Sequence, residues 1–381
     1  MTVEQIESLA PVLSAFLRPF EGFFDTRASV RHFRDYSRGL LSDLPRKTAE
    51  PIALFAGQPP RNLQQFLKAC LWDHRGLADA VSGRLRDAVA ELPPDPVGTV
   101  GIFDETGAVK KGDQTPGVQR QYLGCVGKVE NGIVTVHLAV ARGRFKAMLD
   151  GELYLPKSWD ADRERCREAD IPDTVGYRSK WRIALELLAR AEVNGWSFDW
   201  LTFDEGYGGK PDFLRKLDGA GARWVGEVPS TFSCRPRGSA RAMSAAAAFA
   251  RPDVKRRRAK AFRLVQQTGP DAVWQAKSVD VTPGDDPRPM HRLILARNRE
   301  TGEVKYFVTN AAKSVGLRRL LQVGYALARG ARVSGGEDGN RSDALRGSQL
   351  RVAEASPGAV PGGDGVRLAA RGAAAGGETR R

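Results

Sequence analysis

The sequence predicts an α/β fold preceded by an all-helical segment, and three changes of pattern along the chain predict it. Up to about residue 95 the apolar residues recur at helical spacing. From Thr99 they alternate as in strands, with helical stretches between them. After about residue 230 a basic, low-complexity stretch gives way to further strand-like runs. The divisions that follow are a helical domain at 1–95, an α/β domain at 96–326 with a β-rich insertion at about 230–310, and a tail at 327–381.

In the first division, "IESLAPVLSAFLRPFEGFF" places Leu9, Leu13, Phe16, Leu17 and Phe20 on one helical face. "ASVRHFRDYSRGLLSDL" does the same with Val30, Phe33, Tyr36, Leu40 and Leu41, and "RNLQQFLKACLWDHRGLADAVSGRLRDAVAEL" continues the pattern to Leu92. Cations lie between these positions: Arg31, Arg34, Arg38, Arg46, Lys47, Arg61 and Lys68. They fit a solvated face or a surface for DNA. The prolines of "LPPDPVG", 92–98, mark a linker.

"TVGIFDE" reads as a first strand that leaves the core at Asp104 and Glu105. "QRQYLGCVGKVENG" is a second, ending in an Asn131-Gly132 hairpin signal, and "IVTVHLAVARG" a third. A long loop leads to the helix "SKWRIALELLARAEVNG", stopped by Asn194-Gly195. "FDWLTFDEGYG" is a fourth strand that again ends in acids, "KPDFLRKLDGAG" a helix and "RWVGEVP" a fifth strand. The order β-β-β-α-β-α-β is that of a ribonuclease H-like domain. "AVWQAKSVDVTPGD" and "HRLILARNRETGEVKYFVTN" supply the strands of the insertion.

The chain has 381 residues, with 59 Lys plus Arg against 45 Asp plus Glu, a formal charge of +14. Such an excess attracts polyanions, nucleic acid above all. Cys70, Cys125, Cys166 and Cys234 form no CxxC pair, and His32, His74, His137 and His291 no zinc-binding motif. Neither a signal peptide nor an apolar run of the ~18 residues that span a bilayer is present, so a cytoplasmic protein with no membrane partner is expected.

Hard divalent cations prefer carboxylate oxygen, and two of them ~4 Å apart activate the attacking oxygen and stabilise the leaving one in phosphodiester chemistry. The doubled acids "FDE" at 103–105 and 203–205 offer such ligands from the first and fourth strands, which are neighbours in a ribonuclease H-like sheet. Strand alternation lets one acid of each pair face the site. Asp104 and Asp204 each follow a Phe and are the expected catalytic residues and metal ligands.

"FDETGAVKKGDQTPGVQRQYLGCVGKVENG" together with "LTFDEGYGGKPDFLRKLDGAGARWVGEVP" resembles bacterial insertion-sequence transposases of the DDE type, in the insertion sequence 701 branch of the relatives of insertion sequence 4. "RHFRDYSRGLLSDLPRKTAEPIA" and "NLQQFLKACLWD" resemble that branch's leading DNA-binding region, and the likeness spans about residues 28–325. It implies strand cleavage and transfer at the element's ends, dependent on Mg²⁺ or Mn²⁺, with duplex DNA as partner and a dimer on that DNA. Asp104 and Asp204 carry over as the first two metal ligands. Lys110, Lys111, Arg120 and Tyr122 would lie near bound phosphates, by position, and the basic run 251–260 with Arg256, Arg257 and Arg258 would hold duplex DNA.

The family's third ligand is a Glu on a helix after the insertion, in a pattern like Trp-Arg-(Ile/Val)-Glu. None follows here. Residues 327–381 contain no Lys, Ile, Phe, Trp, Tyr, Met, Cys or His, and Gly, Ala, Arg and Pro make up 34 of the 55. This is the composition of GC-rich DNA read in the wrong frame. With synonymous codons chosen for the purpose, a one-base forward shift turns "LARGARVSGGEDGNR" into "WRVEHAFRVAKTEI". A frameshift near Tyr325–Leu327 is therefore expected, with a disordered tail and impaired catalysis. The plain alternative is a natural Gly/Ala/Arg-rich tail, in which Glu337 would be a poorly positioned substitute. Two rival functions remain: a DNA-binding remnant that does not cut, and a two-carboxylate hydrolase such as a glycosidase, which the basic charge disfavours.

Overall fold

The computed structural model describes residues 3–264, 272–284 and 290–326. The expected tail, 327–381, lies outside the described residues.

The chain begins with helices α1 (Val3–Leu17), α2 (Arg27–Leu41), α3 (Ala49–Phe55), α4 (Pro60–Ala69) and α5 (His74–Ala90). Thr26 caps α2 by accepting from the Ser29 amide, and Asp73 caps α5 by accepting from that of Gly76. Phe24, Ile52, Ala53, Leu63 and Phe66 form a small core of their own. α5 belongs to both parts of the chain. Val89 joins the main core, and polar contacts fasten the helix to the end of a later one: Trp196 Nε1 donates to Ser82 (2.9 Å), Asn194 to Asp79 (2.7 Å) and Arg86 to the Asn194 carbonyl (2.8 Å).

Four strands follow: β1 (Val100–Val109), β2 (Gln119–Leu123), β3 (Lys128–Arg142) and β4 (Phe145–Leu153). Two expectations fail here. β1 runs on through Glu105 to Val109, so its acids stand in mid-strand. The hairpin turn is at Gly124–Gly127, and β3 passes straight through Asn131 and Gly132. Gly127 takes the left-handed φ of 64° that the turn requires, while the Asn131 amide ties the far end of β1 by donating to the carbonyls of Lys110 (2.9 Å) and Gly112 (2.8 Å). β4 stands where the sequence reads as loop.

Short helices α6 (Lys157–Asp160) and α7 (Arg163–Glu168) lead to α8 (Lys180–Val193), then β5 (Trp200–Phe203), α9 (Glu205–Gly208), α10 (Pro211–Gly219) and β6 (Trp224–Val228). α8 presents Ile183, Ala184, Leu187, Leu188 and Ala191, spaced for one face, to the core, and Gly195 at φ 80° ends it.

The expected insertion holds β7 (Ser233–Pro236), β8 (Met243–Ser244), α11 (Ala245–Ala250), α12 (Pro252–Lys255), β9 (Lys260–Leu264), β10 (Ala272–Pro283), β11 (His291–Asn298) and β12 (Val304–Thr309). These strands extend the first sheet. β12 pairs with β6, giving a mixed twelve-stranded sheet in the order β2-β3-β1-β5-β6-β12-β11-β10-β7-β8, with β4 on β3 and β9 on β10. One face buries Phe103, Phe203, Leu293 and Val279 beneath α8 and α10. The other buries Ile102, Trp200, Val225 and Ile294 beneath α13 (Leu317–Gly324).

Candidate active site

β1 and β5 are parallel neighbours, and Phe103 is in register with Phe203. The two phenylalanines are fully buried and fix the register from the core side. Asp104, inside β1, and Asp204, just past the end of β5, therefore stand at the same level, one strand spacing of ~4.8 Å apart along the backbone. β5 ends at Phe203, and Asp204 becomes the cap of α9, accepting from the amides of Gly206 (2.9 Å) and Tyr207 (3.4 Å). α9 lies directly on β6. A Cβ on Gly208 would overlap the Glu227 carbonyl, so only glycine lets the turn that holds Asp204 seat there.

Burial pushes the Asp104 carboxyl above the ordinary carboxylate range, and the negative charge of Glu105 adds to this. Asp204 is pushed further, to about 6, by burial first, then by the charges of Glu105 and Asp104. Alternation alone assigns Glu105 to the opposite face, yet its charge acts on both Asp104 and Asp204. Lys180, at the start of α8, donates to Glu105 at 2.5 Å.

The residues fit a hard divalent cation. Asp104 and Asp204 offer oxygen ligands from adjacent strands, and their repulsion is relieved by positive charge between them. Among the described residues no group of three or more His, Cys, Asp or Glu side chains is placed to hold a metal ion.

The sequence reading missed three residues here. Lys180 is a remote helix residue that reaches the site only once α8 packs on the sheet. His137 faces Asp104 across the β1–β3 ladder. Burial lowers its imidazole to about 4, so it is neutral near pH 7, and its Nε2 pairs with the Thr135 hydroxyl at 2.8 Å. Tyr207 is buried, and its phenol is raised well above its ordinary range by burial and then by the charges of Glu105, Asp204 and Asp104. The register partner on a distant strand carries no local sequence signal.

The residues expected near phosphate stand away from the two acids. Lys110 and Arg120 are level with one another at the far end of β1 and β2, six residues or ~20 Å along the strand from Asp104. Lys110 is only 5% exposed, and its backbone carbonyl accepts from the Asn131 amide. Lys111, Arg120 and Tyr122 are exposed. Arg256, Arg257 and Arg258 are exposed just after α12, on the opposite wing of the sheet.

The sequence profile of the DDE superfamily endonucleases matches residues 19–282. A probable transposase for insertion sequence element IS701, from Microchaete diplosiphon, is 33% identical over 217 residues, which are 55% of this chain and 52% of that protein. The chain thus matches about half the length of that curated relative. The crystal structure of the NurA nuclease from Sulfolobus solfataricus covers 65% of this chain and 80% of its own at 8% identity, but a TM-score of 0.25 carries no argument. No described helix is long and apolar enough to cross a membrane. A profile match over more than two thirds of the sequence, including both acid-bearing strands, places the chain in the DDE superfamily endonuclease family.

Proposed function

We propose that the chain is an insertion-sequence transposase that cleaves and transfers DNA strands at the ends of its element, with Asp104 and Asp204 holding Mg²⁺ or Mn²⁺. The observation that carries this reading is the Phe103–Phe203 register, which brings the two acids to one level on adjacent strands. The path β4-β3-β1-β5-β6, antiparallel through β1 and parallel from β1 to β6, supports a ribonuclease H-like catalytic domain at 96–326. The helices of 1–95 and the +14 charge support a duplex DNA partner.

When bound, a divalent cation supplies Lewis-acid polarisation of the phosphoryl oxygen and a lowered water pKa. Asp204, pushed to about 6, loses its proton at neutral pH and is ready to bind positive charge. The α9 cap bonds fix its orientation, and Lys180 keeps the Glu105 charge from raising it further. Neutral His137 adds no charge beside Asp104. With two acids in place and the third expected in a tail read out of frame, the chain as written cuts poorly and still binds DNA.

The test is Mg²⁺-dependent nicking of a duplex carrying the element's ends. Asp104→Asn and Asp204→Asn should each abolish the residual cleavage and leave DNA binding intact. Cleavage that survives both substitutions would remove these acids from the active site.

A further inference from the structure

Five cations surround a cavity of about 440 Å³ on the wing of the sheet furthest from β1: Arg237, Arg251, Arg257, Arg292 and Lys313. Two acids, Asp253 and Asp280, share it, leaving a formal excess of three positive charges. Its position follows from the strand pairing. Along one edge of β10, β9 pairs with Ala272–Ala276 and β7 with Val281–Pro283. Neither covers residues 277–280, and the cavity opens at that split, with α12 as its other wall.

The cations are held in place there. Arg292 lies opposite Asp280 across the β10–β11 ladder, and its guanidinium donates to the carbonyls of Ala312 (3.2 Å) and Val315 (2.9 Å). Its Nε is buried without a hydrogen-bond partner. Burial lowers the Arg292 pKa, with only Asp280 opposing it, so this cation is short of negative charge. Lys313 meets Asp280 at 2.7 Å and Arg237 meets it at 3.9 Å, both largely exposed to solvent. One carboxylate thus serves three cations. Arg251 pairs with Asp253 at 3.1 Å, and Arg257 reaches the same acid at 4.0 Å.

The sheet also relates this cavity to the carboxylates. Ile102, Thr202, Val225, Thr309, Arg292 and Asp280 are successive register partners across β1, β5, β6, β12, β11 and β10. They form one row on one face. Arg292 is therefore four strand spacings from Ile102, and with Asp104 two residues further along β1 the two lie about 20 Å apart. At 3.4 Å per nucleotide this is about six base pairs of duplex.

The geometry points to a phosphate-binding pocket, centred on Arg292, that holds one backbone phosphate of the DNA about six base pairs from the bond positioned at Asp104 and Asp204. This rests on the DNA reading above and adds a defined second anchor to it. The lining suits a phosphodiester: Arg292, held by two carbonyls, supplies a fixed positive charge, and the exposed Lys313 and Arg237 rotate in from the rim to meet the oxygens.

The test uses the whole chain and a fluorescent duplex of about 30 base pairs, titrated across a range of chloride concentrations. Arg237→Gln with Lys313→Gln removes two exposed charges without touching the core. It should weaken binding about tenfold and make the log–log salt slope shallower by about 0.9, one phosphate's share. Asp280→Asn should act in the opposite direction and tighten binding two- to threefold, a sign that damage to the fold does not produce. If the wild-type chain fails to bind duplex at all, the DNA reading falls and the pocket proposal with it. If it binds, and the double variant keeps both affinity and slope, the pocket proposal is overturned and the DNA reading stands. Calorimetry with inorganic phosphate is the third arm. Heat that depends on Arg237 and Lys313, with unchanged DNA binding, would make this a site for free phosphate only and overturn the backbone assignment.

Discussion

Lys180 on α8 reaches Glu105 on β1 at 2.5 Å, so a cation 75 residues downstream neutralises the acid that most strongly raises Asp204 after burial itself. The pair is about two thirds buried on each side, which makes the contact sensitive to loss of either partner. Lys180→Gln should lower metal-free stability by about 1–3 kcal/mol, the cost of leaving a half-buried carboxylate beside two others. It should also enlarge the stabilisation given by Mg²⁺, because the ion then answers three repelling charges. Melting curves with and without Mg²⁺ measure both effects. An equal Mg²⁺ effect in variant and wild type would detach Glu105 from the site.

Asp204 gives a pH signature with a definite sign. Its folded-state pKa is about 6 against an ordinary 3.8, so the folded protein holds this proton more tightly than the unfolded chain does. Stability without metal therefore falls as pH rises from about 4 to 6, by about 2–3 kcal/mol from this group. Asp204→Asn keeps the α9 cap and removes the charge. It should raise the melting temperature by several degrees above pH 6, leave it unchanged near pH 4, and abolish stabilisation by Mg²⁺. A variant no more stable than wild type at pH 7 would contradict the electrostatic account.

Gly208→Ala tests whether the seating of α9 on β6 sets the Asp204 geometry. The added methyl meets the backbone carbonyl of Glu227, which cannot move aside as a side chain could. A loss of about 2 kcal/mol is expected, together with the loss of Mg²⁺-dependent stabilisation and retained DNA binding. Stabilisation by Mg²⁺ equal to that of wild type would show that the site tolerates movement of α9.

A network of ions fastens β4 to α8. Glu152 is paired with Arg178 and, at 3.0 Å, with Arg190, which also meets Asp150 at 2.8 Å. Burial opposes ionisation of Glu152, but the two arginines outweigh it and hold the carboxyl below its ordinary 4.5. Stability from this group is present above pH 4.5 and lost as the pH falls through the lowered value. Glu152→Gln should cost about 3 kcal/mol at pH 7, with the gap to wild type closing below pH 4. Denaturant melts at pH 7 and pH 3.5 check it, and a gap independent of pH would exclude the ionic origin.

Restoring the shifted frame after Tyr325 should raise Mg²⁺-dependent cleavage of the element's ends well above that of the written chain. Equal activity in the two would end the frameshift account and assign the third ligand to an acid already present.

The sequence by itself determined the parts whose causes are local. α8 and its Asn194-Gly195 stop, the placement of β5, and the repeated Phe-Asp-Glu all follow from periodicity, turn chemistry and residue type within a dozen positions. Tertiary structure decided the rest. Asn131-Gly132 is a strong turn signal, but its amide is used to tie β1, and the chain turns at Gly124–Gly127 instead. β4 was hidden because Asp150 and Glu152 look like loop residues until Arg178, just ahead of α8, and Arg190, on it, arrive to neutralise them. Lys110 reads as an exposed cation and is buried. The addition of β12 to β6, which makes one sheet of the core and the expected insertion, depends on backbone hydrogen bonds between segments some 80 residues apart. Such pairings are set by which edges remain open after the core has packed, and no window of sequence contains both partners.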